Sequence, residues 1–519
     1  IYMTYPSLIN TRIQQEQKIS ADVFEDTRLS LLVDNDAAAV MQKPCGETDI
    51  TERQKLFCAL LGDSPDGTIG TDDTELLADF IKLRKTADYI GSLYSDYSSS
   101  VNWEEKAIFC TLILQNMAEF SISASELTDS TLLCRRFSEG FSKFCQSEDF
   151  SALKYDLGKV IPALRELRSY VCRISGSMHY LSLPGNTVSS KDKNHSDIKA
   201  GSEENSGYLS RLISCAKKFG LGEITSEPVI PRRLTAGITY AASKLHPEEF
   251  NLITSFAEKY EHIIEPEFLE YRSQLGFYIS VCRLIQRIRK AGIPVCYPTV
   301  SAKKQIILRD AHDITLLEKG EQNIIPNNAD FTESEPFFFL TGANGGGKTT
   351  YLRTVGISVL LFLSGAPVPC KSADISPLYC VFTHFPHDER FELSGRFVDE
   401  QARVNDIIKE AGKNCLVLLN ETYSTTSEQK AIRCTSELAE KLYRKGVFGV
   451  YVTHHKIGGK SENSEKGFEI PMLNVLLDRD GKKRTYKIAR RTETESSHAQ
   501  DILKKYRLDF NSLKERFGD

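Results

Sequence analysis

The string Gly342-Ala-Asn-Gly-Gly-Gly-Lys348-Thr349 restricts what this chain can fold into more than any other stretch. It fits the eight-position pattern of a phosphate-binding loop, which works only between a buried strand and a helix start. The glycines let successive backbone N–H groups turn toward one anion, and the helix that follows adds its dipole. Both flanks are present: Phe337 to Leu340 is an apolar run of strand length, and a helical pattern begins at Lys348. Gly342, Ala343, Asn344, Gly345, Gly346, Gly347, Lys348, Thr349 and Thr350 are therefore the candidate nucleotide-binding residues. Lys348 would reach the β and γ phosphates, and Thr349 would offer its hydroxyl to Mg2+. ATP and Mg2+ are the ligands the pattern implies.

Downstream, Cys415-Leu-Val-Leu-Leu419 followed by Asn420-Glu421 reads as the second strand of a nucleotide site. In such sites a terminal acidic pair places Mg2+ and polarises water. Here the first acid is an amide. Asn420 can hydrogen-bond a metal-bound water but brings no negative charge, and losing a good outer-sphere partner costs about 10–100-fold in metal affinity or activity. Glu421 remains as the base or water-orienting group, so a slow ATPase is expected. Thr453-His454 follows the apolar strand Val447 to Val452, where a histidine can contact a γ-phosphate, although a lone histidine at a strand end is more often structural. His455 has a weaker case for that role.

At 519 residues the chain is too long for one core, so two or more domains are expected. The net charge of -5 supplies no overall basic field, and any DNA contact must be local. Thirteen cysteines lie scattered without a CxxC pair, which argues against zinc or a secreted disulfide framework and for reduced thiols in a cytoplasmic protein. The apolar run Val355 to Val368 is interrupted by Gly356, Ser358, Ser364, Gly365 and Pro367 and is too short to cross a bilayer, and no signal peptide is visible. The chain starts at Ile1, consistent with a trimmed boundary.

From Phe24 to Leu181 the periodicity is mostly helical, clearest in Lys106 to Phe120 and Phe150 to Ser175. Leu183 to Gly207 has almost no apolar residue and is expected to be a disordered loop. Helical spacing resumes at Tyr208, and Glu265 to Lys290 carries a long apolar stripe closed by Gly292 and Pro294. After Pro298 short apolar strands alternate with helices, as in an α/β domain. Asp480-Gly481 sits between two strand-like runs and favours a hairpin. The expected domains are residues 1–300 and 301–519.

Four strings in order, TGANGGGKTTYLR (Thr341 to Arg353), VPCKSADISPLYCVFTH (Val368 to His384), CLVLLNETYSTTS (Cys415 to Ser427) and VTHH (Val452 to His455), resemble the ATPase domain of the MutS family. The resemblance covers about Gln305 to Leu508 and reaches more weakly upstream, through Ala291-Gly-Ile-Pro-Val-Cys-Tyr-Pro298. It implies an α/β ATPase domain of the ABC-type P-loop NTPase class, preceded by a mainly α-helical core and lever domain. It also implies that Asn344 helps hold the attacking water or the γ-phosphate, alongside Glu421 and His454. ATP would sit in a composite site of a homodimer, capped by a signature segment from the opposing subunit. The candidate cap is Glu392-Leu-Ser-Gly-Arg-Phe397, where Ser394 and the backbone of Gly395 could donate, or Arg396 could supply charge. It departs from the family's Ser-Thr-Phe, which leaves the register open by one residue, with a solvated helix start as the alternative. Ser496-Ser-His-Ala499 matches the family's late Ser-rich helix start and could brace the opposing subunit.

Two departures bear on function. The family's mismatch-reading and connector domains have no counterpart, and the Phe-x-Glu strings at Phe137, Phe256, Phe268 and Phe331 are read as chance. A nuclease-like tail after Asp519 is not expected. The leading expectation is an ATP-driven clamp on DNA, branched or recombining rather than mismatched. Lys217-Lys218, Arg232-Arg233 and Arg283, Arg287 and Arg289 could touch phosphates, yet such clusters are more often solvated faces. A second reading is a nucleotide-dependent, protein-binding scaffold with little turnover, favoured by Asn420 and the acidic balance. A third, a membrane transporter's ATPase subunit, is weakened because its LSGGQ-like motif occurs only as Leu393-Ser-Gly-Arg-Phe397.

Overall fold

A computed structural model describes residues 6–9, 18–64, 70, 74–166, 170–174, 177–181, 239–240, 242–385, 396–423, 427–455, 469–478 and 484–490. The expected loop 183–207, the Asp480-Gly481 turn, Ser394, Gly395 and Ser496 to Ala499 lie outside them. The chain divides into two compact units, one of Ile1–Leu8 with Asp73–Ile279 and one of Ile9–Asp72 with Ser280–Asp519. The boundary expected at residue 300 falls inside the second unit.

The first unit is mainly helical: α4 (Glu75–Ser99), α5 (Trp103–Ser125), α6 (Leu132–Cys145), α7 (Glu148–Glu166) and α8 (Pro247–Tyr260). α4 starts at Thr74, whose side chain accepts from Leu77 N at 3.1 Å, and buries Leu77, Phe80, Leu83, Ala87, Ile90 and Leu93, one face at helical spacing. α5 is buried nearly all round and packs against α4, α6 and α8. By length and composition α5 is apolar enough to cross a membrane, but most of it is buried inside this unit as a core helix. Phe120, Phe137, Phe141, Phe268 and Tyr271 form an aromatic cluster, mostly edge-to-face with Phe120 stacked on Tyr271, each pair adding about 0.5–1.5 kcal/mol beyond its burial.

The helix expected through Ser175 stops early. α7 ends at Glu166, and an antiparallel pair follows, β1 (Tyr170–Ile174) with β2 (Ser177–Leu181), in the register Tyr170 to Leu181. Tyr170, Val171 and Ile174 favour extended backbone, and that preference outweighed the apolar spacing. The expected helix 265–290 is present as α9 (Glu270–Lys290), ended by Gly292 at φ 75. The N–H groups of Gly292 and Ile293 reach Arg289 O and Ile288 O at 2.8 and 3.2 Å, which satisfies the last carbonyls.

In the second unit, α1 (Ala21–Asp26), α2 (Asn35–Met41) and α3 (Glu47–Leu61) precede an α/β arrangement. Its strands are β3 (Thr299–Val300), β4 (Gln305–Ala311), β5 (Asn327–Thr332), β6 (Phe337–Thr341), β7 (Ser372–Ile375), β8 (Cys380–His384), β9 (Cys415–Asn420), β10 (Phe448–Val452), β11 (Met472–Leu477) and β12 (Arg484–Arg490). The main sheet has the order β12-β11-β6-β10-β9-β8, parallel except for the antiparallel edge strand β12. A smaller sheet has the order β3-β7-β4-β5. Parallel strands need long crossovers, supplied here by α10 (Lys348–Leu363), α11 (Arg396–Glu410) and α12 (Glu428–Arg444).

The strands read as continuous apolar runs because both faces of the sheet are covered. Phe337, Phe339, Val417, Leu419 and Tyr451 form one core with Val404, Ile407, Leu438 and Leu442 of α11 and α12. The other face meets α10, where a Cβ added at Gly356 would come within 3.0 Å of Leu418. The far end of α10 is held by buried Arg53 of α3, whose guanidinium donates to Ser364 O at 3.2 Å and Ile9 O at 2.9 Å. A cation at the last carbonyls complements the helix dipole.

Candidate functional site

Parallel strands point their carboxyl ends to one edge of the sheet, so the residues that follow β6, β9 and β10 converge. Val452 is paired with both Leu340 and Asn420, and this register sets Thr341, Glu421 and Thr453 side by side, with Gly342 next after them. Thr453 N donates to Leu340 O at 3.1 Å and Glu421 N to Val452 O at 3.0 Å, extending the ladder one residue past the strands.

The loop after β6 needs its glycines. Gly342, Gly345 and Gly347 have φ of 134, 68 and 96, a region only glycine enters freely. Space is short as well: a Cβ at Gly342 would lie 2.9 Å from Val475, and one at Gly346 2.9 Å from Ala343 O. Lys348, the first residue of α10, is 5% exposed and curls back, donating to Gly342 O at 2.9 Å, Ala343 O at 3.3 Å and Asn344 Oδ1 at 3.5 Å. Burial lowers the Lys348 pKa, the Glu421 carboxylate opposes that shift, and the Arg484 guanidinium adds to it. Asn344 is exposed, while Thr349 and Thr350 are half-buried at the start of α10.

Facing the loop, Glu421 has a left-handed φ of 52, as does Tyr423 at 68. Side chains other than glycine enter that region at a cost of about 1–2 kcal/mol, and such residues cluster at working sites. The turn is anchored from below: Tyr451 OH donates to Thr422 O at 2.8 Å, and His384 Nδ1 lies 3.1 Å from Thr422 Oγ1. Glu421 Oε1 is bonded to His454 Nε2. Asn420 is 8% exposed, and its Oδ1 is buried without a partner among the described residues. An orphaned buried oxygen at this point is a ready acceptor for a metal-bound water, and with Thr349 and Glu421 it suits a magnesium ion held largely by phosphate and water. Among the described residues no group of three or more His, Cys, Asp or Glu makes a ready metal cage.

The structure thus brings Gly342 to Thr350, Asn420, Glu421 and His454 to one edge. His455 contributes its backbone, which donates to Thr453 Oγ1 at 3.1 Å. The capping pair Ser394 and Gly395 is outside the described residues.

Sequence reading missed the β11–β12 hairpin as a wall of the site. Asn474 Oδ1 accepts from Thr341 Oγ1 at 2.6 Å, Val475 packs on Gly342, and Arg484 Nη1 lies 3.4 Å from Gly345 O. Tyr486, at φ 58 and 48% exposed, puts its ring 3.6 Å from a Cβ position on Gly347. The alternation in Arg484 to Ile488 announces a strand, but no local signal says that it pairs beside the phosphate loop.

Residues 338–504 match the family model described as MutS domain V. The chain is 26% identical over 241 residues to the DNA mismatch repair protein Msh3 of Homo sapiens, a stretch covering 42% of this chain and 21% of that protein. It is 27% identical over 209 residues to the DNA mismatch repair protein MutS of Aquifex pyrophilus, covering 40% of this chain and 24% of the relative. It is 32% identical over 197 residues to the Endonuclease MutS2 of Aquifex aeolicus, covering 38% and 25%. The matched stretch spans only about a fifth to a quarter of these relatives.

Proposed function

This chain belongs to the MutS family, whose domain V matches its residues 338–504, and we propose that it is an ATP-binding, slowly ATP-hydrolysing clamp that acts on DNA as a homodimer. The observation that carries the reading is the meeting of Lys348, Glu421 and His454 at the carboxyl edge of one parallel sheet, beside a loop with no room for a side chain at Gly342 or Gly346. The backbone N–H groups of Gly345 to Thr349 bind the phosphates, and Lys348 exchanges its bonds to the loop carbonyls for phosphate oxygens. Magnesium, when bound, supplies charge neutralisation at the β and γ phosphates. Thr349, Asn420 and Glu421 would hold it. Glu421 orients the attacking water and takes its proton, and His454 fixes the carboxylate in place. Tyr486 offers an exposed ring beside Gly347 for the base. Ser394 and Gly395 cap the partner subunit's nucleotide.

Branched or recombining DNA is the proposed substrate; the relatives named for mismatch repair support the DNA part. The test is turnover and binding by the purified protein with duplex, single strand and four-way junction, with and without ATP. DNA-stimulated hydrolysis and salt-sensitive DNA binding are expected. Absence of binding to every one of these DNAs at low salt would end the DNA reading. Asn420 favours the second reading, a nucleotide-dependent scaffold for a protein partner, which predicts flat, near-zero rates whatever DNA is added.

A further inference from the structure

Cys296 and Cys370 are far apart in sequence, yet their Sγ atoms lie 3.4 Å apart. Backbone pairing puts them there. Cys296 and Val368 exchange both bonds of an antiparallel bridge, at 3.0 and 2.9 Å. Cys370 N then folds back to Val368 O at 2.9 Å, a three-residue turn centred on Pro369, whose ring presets φ. That turn returns the Cys370 thiol to the residue opposite Val368. Cys370 is fully buried and Cys296 half-buried, so reagents reach the pair through Cys296.

We propose that Cys296 and Cys370 form a reversible disulfide on exposure to a peroxide, a modification site that clips the segment after α9 to the segment leaving α10. The closed loop spans 74 residues and contains the whole phosphate loop. The two thiols are unequal. A hydrogen bond from the Cys370 thiol holds the Cys296 thiol below its ordinary range, against the effect of burial, while that same bond and burial push Cys370 up. Cys296 is thus the nucleophile. Its thiolate attacks one peroxide oxygen, the O–O bond breaks, and the departing hydroxide takes a proton to become water, leaving a sulfenic acid on Cys296. Cys370 sulfur then attacks Cys296 sulfur, the S–O bond breaks, and hydroxide leaves with the Cys370 proton as a second water. Two thiols and one peroxide give one disulfide and two waters, and a dithiol reverses the bond.

The test treats the native, reduced full chain with hydrogen peroxide, quenches it, denatures it and alkylates the remaining thiols. Two fewer thiols than the 13 of the reduced chain are expected, with a Cys296–Cys370 linked peptide that dithiothreitol abolishes. Cys296→Ser and Cys370→Ser each lose the linked peptide while keeping the parent's circular dichroism and ATP binding. The oxidised parent shows a higher urea midpoint, because the bond restricts the unfolded chain. A parent that yields no linked peptide while still folded overturns the proposal. So does a Cys296 that proceeds to sulfinic acid with Cys370 still alkylatable, or an equal thiol loss in both variants.

Discussion

Glu421 Oε1 and His454 Nε2 are joined by a hydrogen bond that ties the residue after β9 to the turn after β10. The strands are parallel neighbours in register, so the bond is short-range in space although 33 residues separate the partners. Glu421 makes this bond from a left-handed backbone, and its carboxylate charge also acts on the Lys348 ammonium. Glu421→Gln keeps the shape and removes the base. Turnover is expected to fall about 10²–10⁴-fold with ATP affinity within a few-fold of the parent. His454→Ala, which frees the carboxylate without removing it, costs less. A Glu421→Gln protein that hydrolyses ATP at the parental rate would remove this residue from the chemistry.

Lys348 is buried, charged and bonded to three acceptors of its own loop. Lys348→Met keeps the stem and deletes the ammonium. Charge-assisted bonds to phosphate contribute about 1.5–3 kcal/mol each, so ATP affinity is expected to drop about 10–100-fold or more by calorimetry. Thermal stability should hold or rise, since a partly desolvated charge is gone. Unchanged affinity would refute the assignment of the loop.

Much of this site is legible in the chain before any fold is known, and the reason is local. A phosphate loop demands glycines at fixed positions, and Gly342, Gly345 and Gly347 have the positive φ that glycine adopts without strain. The runs at 337–340, 415–419 and 447–452 are apolar throughout because both faces of the sheet are covered, and they emerge as β6, β9 and β10. Long-range pairing is not written that way. Nothing near Tyr486 or Arg484 says that β12 closes the sheet beside Gly345 and Gly347. Nor does anything near Arg53 say that it holds the end of α10. Tyr170 to Ile174 misled because apolar spacing there fits a helix, whereas the extended preference of Tyr170, Val171 and Ile174, together with the pairing to Ser177 to Leu181, decides for a strand.

Asn420 separates the two functional readings. Its Oδ1 is buried and unpartnered among the described residues, so the position can accept a bond but brings no charge to a cation. Asn420→Asp restores the acid. Turnover should rise about 10–100-fold with saturation at lower magnesium, while the metal-free protein loses stability because a buried carboxylate has replaced an amide. A faster Asn420→Asp enzyme identifies the amide as the brake on hydrolysis. Parental rates that are flat and near zero whatever DNA is added, and that recover in Asn420→Asp, support the scaffold, whereas DNA-stimulated hydrolysis by the parent rejects it.

Asp313 carries a pH dependence independent of the nucleotide. Its Oδ1 accepts from Thr315 N at 3.0 Å and Thr315 Oγ1 at 2.6 Å, but its Oδ2 is buried without a partner among the described residues. Burial raises its pKa, outweighing the Thr315 bonds and the charges of Arg353 and Lys319. The folded state therefore binds this proton more tightly than the unfolded state, whose carboxyl titrates near about 3.9. Below that value both states are protonated and the group is neutral in the balance. As pH rises from there through the folded pKa, the unfolded state holds fewer protons and stability falls. Above the folded pKa the ionised carboxylate is a standing cost. Asn in its place keeps the acceptor that caps Thr315 and removes the charge, so Asp313→Asn should raise stability at pH values above the folded pKa. The advantage should shrink steadily as pH is lowered toward 4. Urea midpoints of both proteins at four or five pH values measure it, and a gain of constant size across that range would show that ionisation of Asp313 is not its source.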